Sequence, residues 1–107
     1  MQEGDITAFF WGLATPLLDD MRITKSTMMG FPCLRVDGDF FASANPKTGD
    51  LVVKLPADRV LSLIEEDQGS TFAPAGRRFR EWVVISTRDA TQWAALIAES
   101  RQFVAQK

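Results

Sequence analysis

The stretch Met28–Leu55, MMGFPCLRVDGDFFASANPKTGDLVVKL, constrains what this chain can fold into more than any other part of it. Asp37-Gly38 lies between two runs of strand-forming residues, and both residues tolerate the positive φ of a two-residue hairpin turn. Asn45-Pro46-Lys47-Thr48-Gly49 forms a second, longer turn from residues that favour bends. Together they predict a meander of three antiparallel strands.

A two-residue turn sets which residues stand opposite each other. Val36 should face Asp39, Arg35 should face Phe40, Leu34 should face Phe41, and Cys33 should face Ala42. With five residues in the second loop, Ala44 faces Asp50, Ser43 faces Leu51, Phe41 faces Val53 and Phe40 faces Lys54. Opposed residues project to one side, and sides alternate along a strand. One side then collects Leu34, Val36, Phe41, Leu51, Val53 and Leu55, an apolar face to be covered by helices. The reverse collects Cys33, Arg35, Phe40, Ala42, Val52 and Lys54, a mixed face open to solvent. A one-residue slip would move a whole strand to the other side.

Helical signals flank the meander. Ile6, Phe9, Phe10, Leu13, Ala14, Leu17, Leu18 and Met21 recur at three- and four-residue steps, with Asp5 as N-cap and a kink at Pro16. Ile23–Met28 reads as a short edge strand. Pro56 opens a second helix, with Asp58 as its cap, Val60, Leu63 and Ile64 buried, and Gly69 as its C′ residue. Residues 70–76 read as a loop. Arg80–Ile85 reads as a further strand, with Trp82 in the core. A capping box at Ser86–Asp89 or Asp89–Gln92 starts a last helix whose inner side carries Trp93, Leu96, Ile97, Ser100, Phe103 and Val104. The expectation is one α+β domain over residues 1–107, of order α-β-β-β-α-β-α with an extra short strand near residue 25. It has two layers, an antiparallel sheet with helices on one face.

The chain has 107 residues, no histidine, no tyrosine and one cysteine. It lacks the commonest general base and metal ligand, and one chain cannot form a disulfide or a cysteine zinc cluster. No catalytic, cofactor or metal motif is present, which points away from an enzyme. A net charge of −2 and a pI near 5.0 provide no long-range attraction for nucleic acid, so any such contact needs a local basic patch. No stretch is long and apolar enough for a membrane span or a leader, and the expected compartment is the cytoplasm.

Basic residues form the best constellation. Arg35 and Lys54 share the open face with Phe40 between them, and Arg77, Arg78 and Arg80 lead into the last strand. Cations around an exposed aromatic suit phosphate contact and base stacking. Pairing with Glu81 and Asp50 in a solvated network is the competing reading. Met28, Met29 and Phe31 form a soft apolar cluster that suits core packing, a small-molecule pocket or a dimer contact. Cys33 reads as a buried structural cysteine.

The runs TMMGFPCLRVDGDFFA (residues 27–42), GDLVVKLP (49–56) and FAPAGRRFREWV (72–83) resemble the small bacterial domains of the TfoX N-terminal and MmcQ/YjbR type. The resemblance spans nearly the whole chain. It implies a compact α+β fold with an antiparallel sheet, and a regulatory role. TfoX regulates competence for DNA uptake, and the YjbR group has been suggested to bind DNA. Three readings follow. The first is a non-enzymatic regulatory module that contacts nucleic acid or a transcription-related protein. The second is a homodimer formed through a sheet edge or the Met28–Phe31 cluster. The third is a small-molecule binder or an enzyme of unknown substrate.

Overall fold

Asp37 and Gly38 do take positive φ, 53° and 90°, and the tight turn they form joins two strands of a six-stranded antiparallel sheet. The computed structural model describes residues 3–28 and 30–106, with the side chains of Glu3, Gly4 and Met28 left aside. Helix α1 (Glu3–Ala14) runs into a 3-10 turn (Thr15–Asp19). Strands β1 (Ile23–Met28), β2 (Phe31–Val36), β3 (Asp39–Asn45) and β4 (Asp50–Lys54) follow. Then come α2 (Ala57–Glu65), β5 (Ser70–Thr71), β6 (Trp82–Ile85) and α3 (Ala90–Ala105). The strand order is β1-β2-β3-β4-β6-β5. The fold is α+β, as the hydrophobic pattern requires, and the edge strand near residue 25 is six residues long.

Two departures from the expected register cancel. Arg35 faces Phe40 and Val36 faces Asp39 as anticipated, but Leu34 then faces Ala42 because Phe41 forms a bulge. The second turn has four residues rather than five, so Asn45 pairs with Asp50 and Ala42 pairs with Val53. The bulge flips residues 42–45 to the opposite sides from those expected, and the shorter turn returns β4 to its expected sides. Leu34, Val36, Phe41, Leu51, Val53 and Leu55 are therefore all fully buried. Ala42 joins them instead of the reverse face, where Ser43 takes its place; Cys33, Ser43 and Val52 are buried there, so the middle of that face is not open to solvent as expected.

A bulge frees a backbone carbonyl from the ladder, and a buried carbonyl needs a donor. Ser100 on α3 supplies it: its Oγ–H donates to Phe41 O at 2.6 Å. This explains a serine on the buried stripe of α3 among Trp93, Leu96, Ile97 and Val104. The same stripe packs with Ile6, Phe10 and Ala14 of α1 and Val60 and Leu63 of α2 in one core cluster.

Other expectations change at particular residues. Asp5 lies inside α1 rather than capping it, and Pro16 converts the helix to 3-10 geometry. Met21 is 96% exposed, because the chain turns at residues 20–22 before the stripe reaches it. Pro56 is the N-cap of α2, with Asp58 in its first turn and no side-chain cap. The left-handed residue closing α2 is Asp67 (φ 59°), and the N–H of Gln68 donates back to Leu63 O at 2.8 Å. Gly69 serves close packing instead: a Cβ there would stand 2.6 Å from Val83 Cγ2. The loop after α2 contains β5, and its tip bends through Ala75 and Gly76 at φ 55° and 78°. Asp89 caps α3 by accepting from the Gln92 N–H at 3.0 Å.

The turn between β2 and β3 is bracketed electrostatically. Arg22 Nε donates to both Asp37 carboxylate oxygens, at 3.0 and 3.2 Å. Asp20 accepts from the Arg22 backbone N–H at 2.9 Å and from the Arg101 guanidinium. The Arg22 side chain holds the Asp37 carboxyl below its ordinary value of 3.8, and the Arg22 N–H followed by Arg101 does so for Asp20. Lowered folded pKa values add stability that is present above about pH 3.8 and lost as pH falls through them. Urea midpoints should therefore fall below that pH. Asp37→Asn, which still tolerates the left-handed turn, should flatten part of the decline.

Candidate nucleic-acid interface

The sheet face turned away from the core carries Thr24 and Ser26 of β1, Cys33 and Arg35 of β2, and Phe40 and Ser43 of β3. Val52 and Lys54 of β4 and Trp82 and Val84 of β6 complete it. Arg35 and Lys54 share this face. They are separated by β3, which places them about 10 Å apart across the sheet.

Arg35 is the unusual member. Its guanidinium carbon lies 4.0 Å from the Phe40 ring centroid, the stacking expected when Asp37-Gly38 sets these two residues opposite each other. Its Nε is buried and has no hydrogen-bond partner among the described residues. A buried charged donor left unpaired costs about 1–3 kcal/mol or more, and an incoming acceptor reaches it only when the side chains covering it move aside. Cys33, two residues earlier, is fully buried, and burial raises its thiol pKa against the smaller opposing effects of Arg35 and a hydrogen bond with Ser26. A thiol of that kind is protonated and unreactive at neutral pH, which fits a structural role.

Lys54 differs, because its Nζ lies 3.9 Å from Glu81. It also shares a hollow of about 220 Å³ with Phe79, Arg80 and Trp82. Trp82 is thus half-buried on the sheet face turned away from the core. Alternation from the buried Val83 and Ile85 would have placed it there. Phe72, Phe79 and Trp82 form an aromatic cluster with centroids 5.8 and 6.3 Å from Phe72, and the Phe79 N–H donates to Phe72 O at 3.0 Å, closing the basic loop on itself. Arg77 sits 5.3 Å from the Phe79 ring, while Arg78 and Arg80 line a separate hollow with Ala57 and Leu61.

The expected site therefore divides into an Arg35–Phe40 stack and a Lys54–Arg80 hollow with aromatic walls. Of the apolar cluster, Phe31 is partly buried at the start of β2; the Met28 side chain and Met29 lie outside the described residues. No group of three or more His, Cys, Asp or Glu side chains among the described residues could hold a metal ion. No helix among them is long and apolar enough to cross a membrane. No protein-family model matches this chain, and no curated protein or solved structure matches it either.

Proposed function

We propose that this chain is a non-enzymatic binding module of the kind its resemblance to the TfoX and YjbR domains implies, and that the sheet face turned away from the core takes single-stranded nucleic acid at its Arg35–Phe40 side. The observation that supports this reading best is the unpaired Arg35 Nε beside a guanidinium plane stacked on Phe40. A phosphate oxygen satisfies such a donor, and a base stacks on a guanidinium or aromatic plane. Single strands suit the face better than duplex, since stacking needs bases released from pairing.

With a net charge of −2, affinity must come from the local cations and must fall steeply with salt. Two or three phosphate contacts to a single strand give a slope of log affinity against log salt of about −1.4 to −2.1. Fluorescence anisotropy with labelled oligo-dT and oligo-U at several salt concentrations measures it. Arg35→Ala should weaken binding roughly tenfold and make the slope shallower by about 0.7. Lys54→Ala should do less, since Glu81 already neutralises part of that charge. Salt-independent binding, or Arg35→Ala binding like the parent, would remove the reading.

A further inference from the structure

The two edges of the sheet are built differently. One is β5, only two residues long, and so short an edge offers little for another strand to pair with. The other is β1, six residues in unbroken register with β2 and free of proline and bulge.

The direction of its backbone groups follows from one hydrogen bond. Asp37 N–H donates to Arg22 O at 2.9 Å, so Arg22 presents its carbonyl to the neighbouring strand. Alternation then turns Thr24, Ser26 and Met28 toward β2 and leaves the N–H and C=O of Lys25 and Thr27 pointing outward. Ile23 also points outward, but its N–H is taken by Asp20 O at 3.0 Å.

The flank above this edge is uncharged. Residues 6–18 contain no Asp, Glu, Lys or Arg, although Ala8 and Gly12 of α1 are exposed. Thr7, Ala8 and Trp11 of α1 and Lys25, Ser26 and Thr27 of β1 line an open groove of about 960 Å³. Lys25 Nζ lies 4.6 Å from the Trp11 ring centroid.

We infer that β1 pairs antiparallel with β1 of a second copy of this chain, about a two-fold axis at Ser26. Opposed residues in an antiparallel pair share a side, so a symmetric pair must be centred on a residue rather than between two. Centring on Lys25 would oppose two ammonium groups. Centring on Ser26 sets Lys25 against Thr27 of the second copy, twice. That register uses the outward N–H and C=O groups of Lys25 and Thr27 in both copies, with no like charges opposed. The side chains of Lys25 and Thr27 of each copy project to the helix side, where the two grooves they line become continuous and the uncharged flanks of α1 meet. The inference concerns the sheet edge and is independent of the nucleic-acid reading of the face turned away from the core.

Analytical ultracentrifugation should give a mass twice the 11.9 kDa of one chain. Thr27→Pro deletes an outward N–H that the fold does not use, and should give a folded monomer with an unchanged far-ultraviolet spectrum. Ser26 would face its own copy at a non-hydrogen-bonded position, where Cα atoms lie about 4.5 Å apart and a disulfide fits. Ser26→Cys combined with Cys33→Ala, which removes the thiol across the β1–β2 ladder, should form a covalent dimer on mild oxidation. Thr24→Cys in the same background should not. A wild-type protein that stays monomeric at millimolar concentration would overturn the inference and leave the edge to a strand from another protein. A dimeric Thr27→Pro protein, or a Ser26→Cys/Cys33→Ala protein that stays monomeric on a non-reducing gel, would overturn it too. If Thr27→Pro does not fold, the cysteine variants decide.

Discussion

Replacing Trp93 with alanine should cost about 3–5 kcal/mol, the range for deleting a fully buried large aromatic. Trp93 has no exposed surface, and it is the largest side chain among those fully buried. Its ring meets Phe9 edge to face, with centroids 5.0 Å apart, so it ties α3 to α1. Its Nε1–H donates to Thr87 O at 2.8 Å, so it also fixes the entry of α3 after β6. Domains of this size have about 5–15 kcal/mol in total, so the loss is a large fraction of the whole. Trp93→Phe keeps most of the packing but leaves the Thr87 carbonyl without its donor, and should cost less. Urea denaturation followed by circular dichroism measures both, and equal losses would show that the hydrogen bond outweighs the lost volume.

Two glycine-to-alanine substitutions should move stability in opposite directions. At Gly69 the new methyl would stand 2.6 Å from Val83 Cγ2 and 3.4 Å from Leu63 Cβ and Ile85 Cδ1. All three neighbours are buried, and Val83 is β-branched with few alternative rotamers, so the strand must shift. Overpacking of this kind costs about 1–3 kcal/mol. At Gly12, within α1, nothing lies within 4 Å of the built Cβ. Alanine there should add about 0.5–1 kcal/mol by lowering the entropy of the unfolded chain. Thermal melts resolve both, since 1 kcal/mol moves the midpoint of a small domain by about 4–8 °C. A stabilised Gly69→Ala protein would show that α2 does not seat against β6 this closely.

Much of the fold was legible because hydrophobic alternation and turn chemistry agree. The bulge was not legible. Phe40 and Phe41 are alike as residues, and only Ser100, far along the chain on α3, meets the carbonyl the bulge frees. The apolar side survived because the bulge and the four-residue turn offset one another. In the sequence Gly69 looks like a helix terminator, because close packing against a distant strand leaves the same local mark as a left-handed cap. The α1–β1 groove is hidden in the sequence for a similar reason. A run without charges from residue 6 to 18 reads as a buried helix until the outer positions are seen to face solvent. At the candidate interface, the Arg35–Phe40 pairing followed from Asp37-Gly38 alone. The Lys54–Glu81 ion pair and the Phe72–Phe79–Trp82 cluster depend on how β6 and the preceding loop return, which local pattern does not encode.

The claim that the unpaired Arg35 donor takes the ligand can be read at the atom concerned. In nitrogen-15 spectra of the labelled protein, the Arg35 Nε–H resonance, assigned by its loss in Arg35→Lys, reports on hydrogen bonding to that group. Titration with oligo-dT should move this resonance and slow its exchange with water, together with shifts along β2 and β3. An Arg35 Nε–H signal that stays still while oligonucleotide saturates the protein, or no saturation at low salt, would contradict the account.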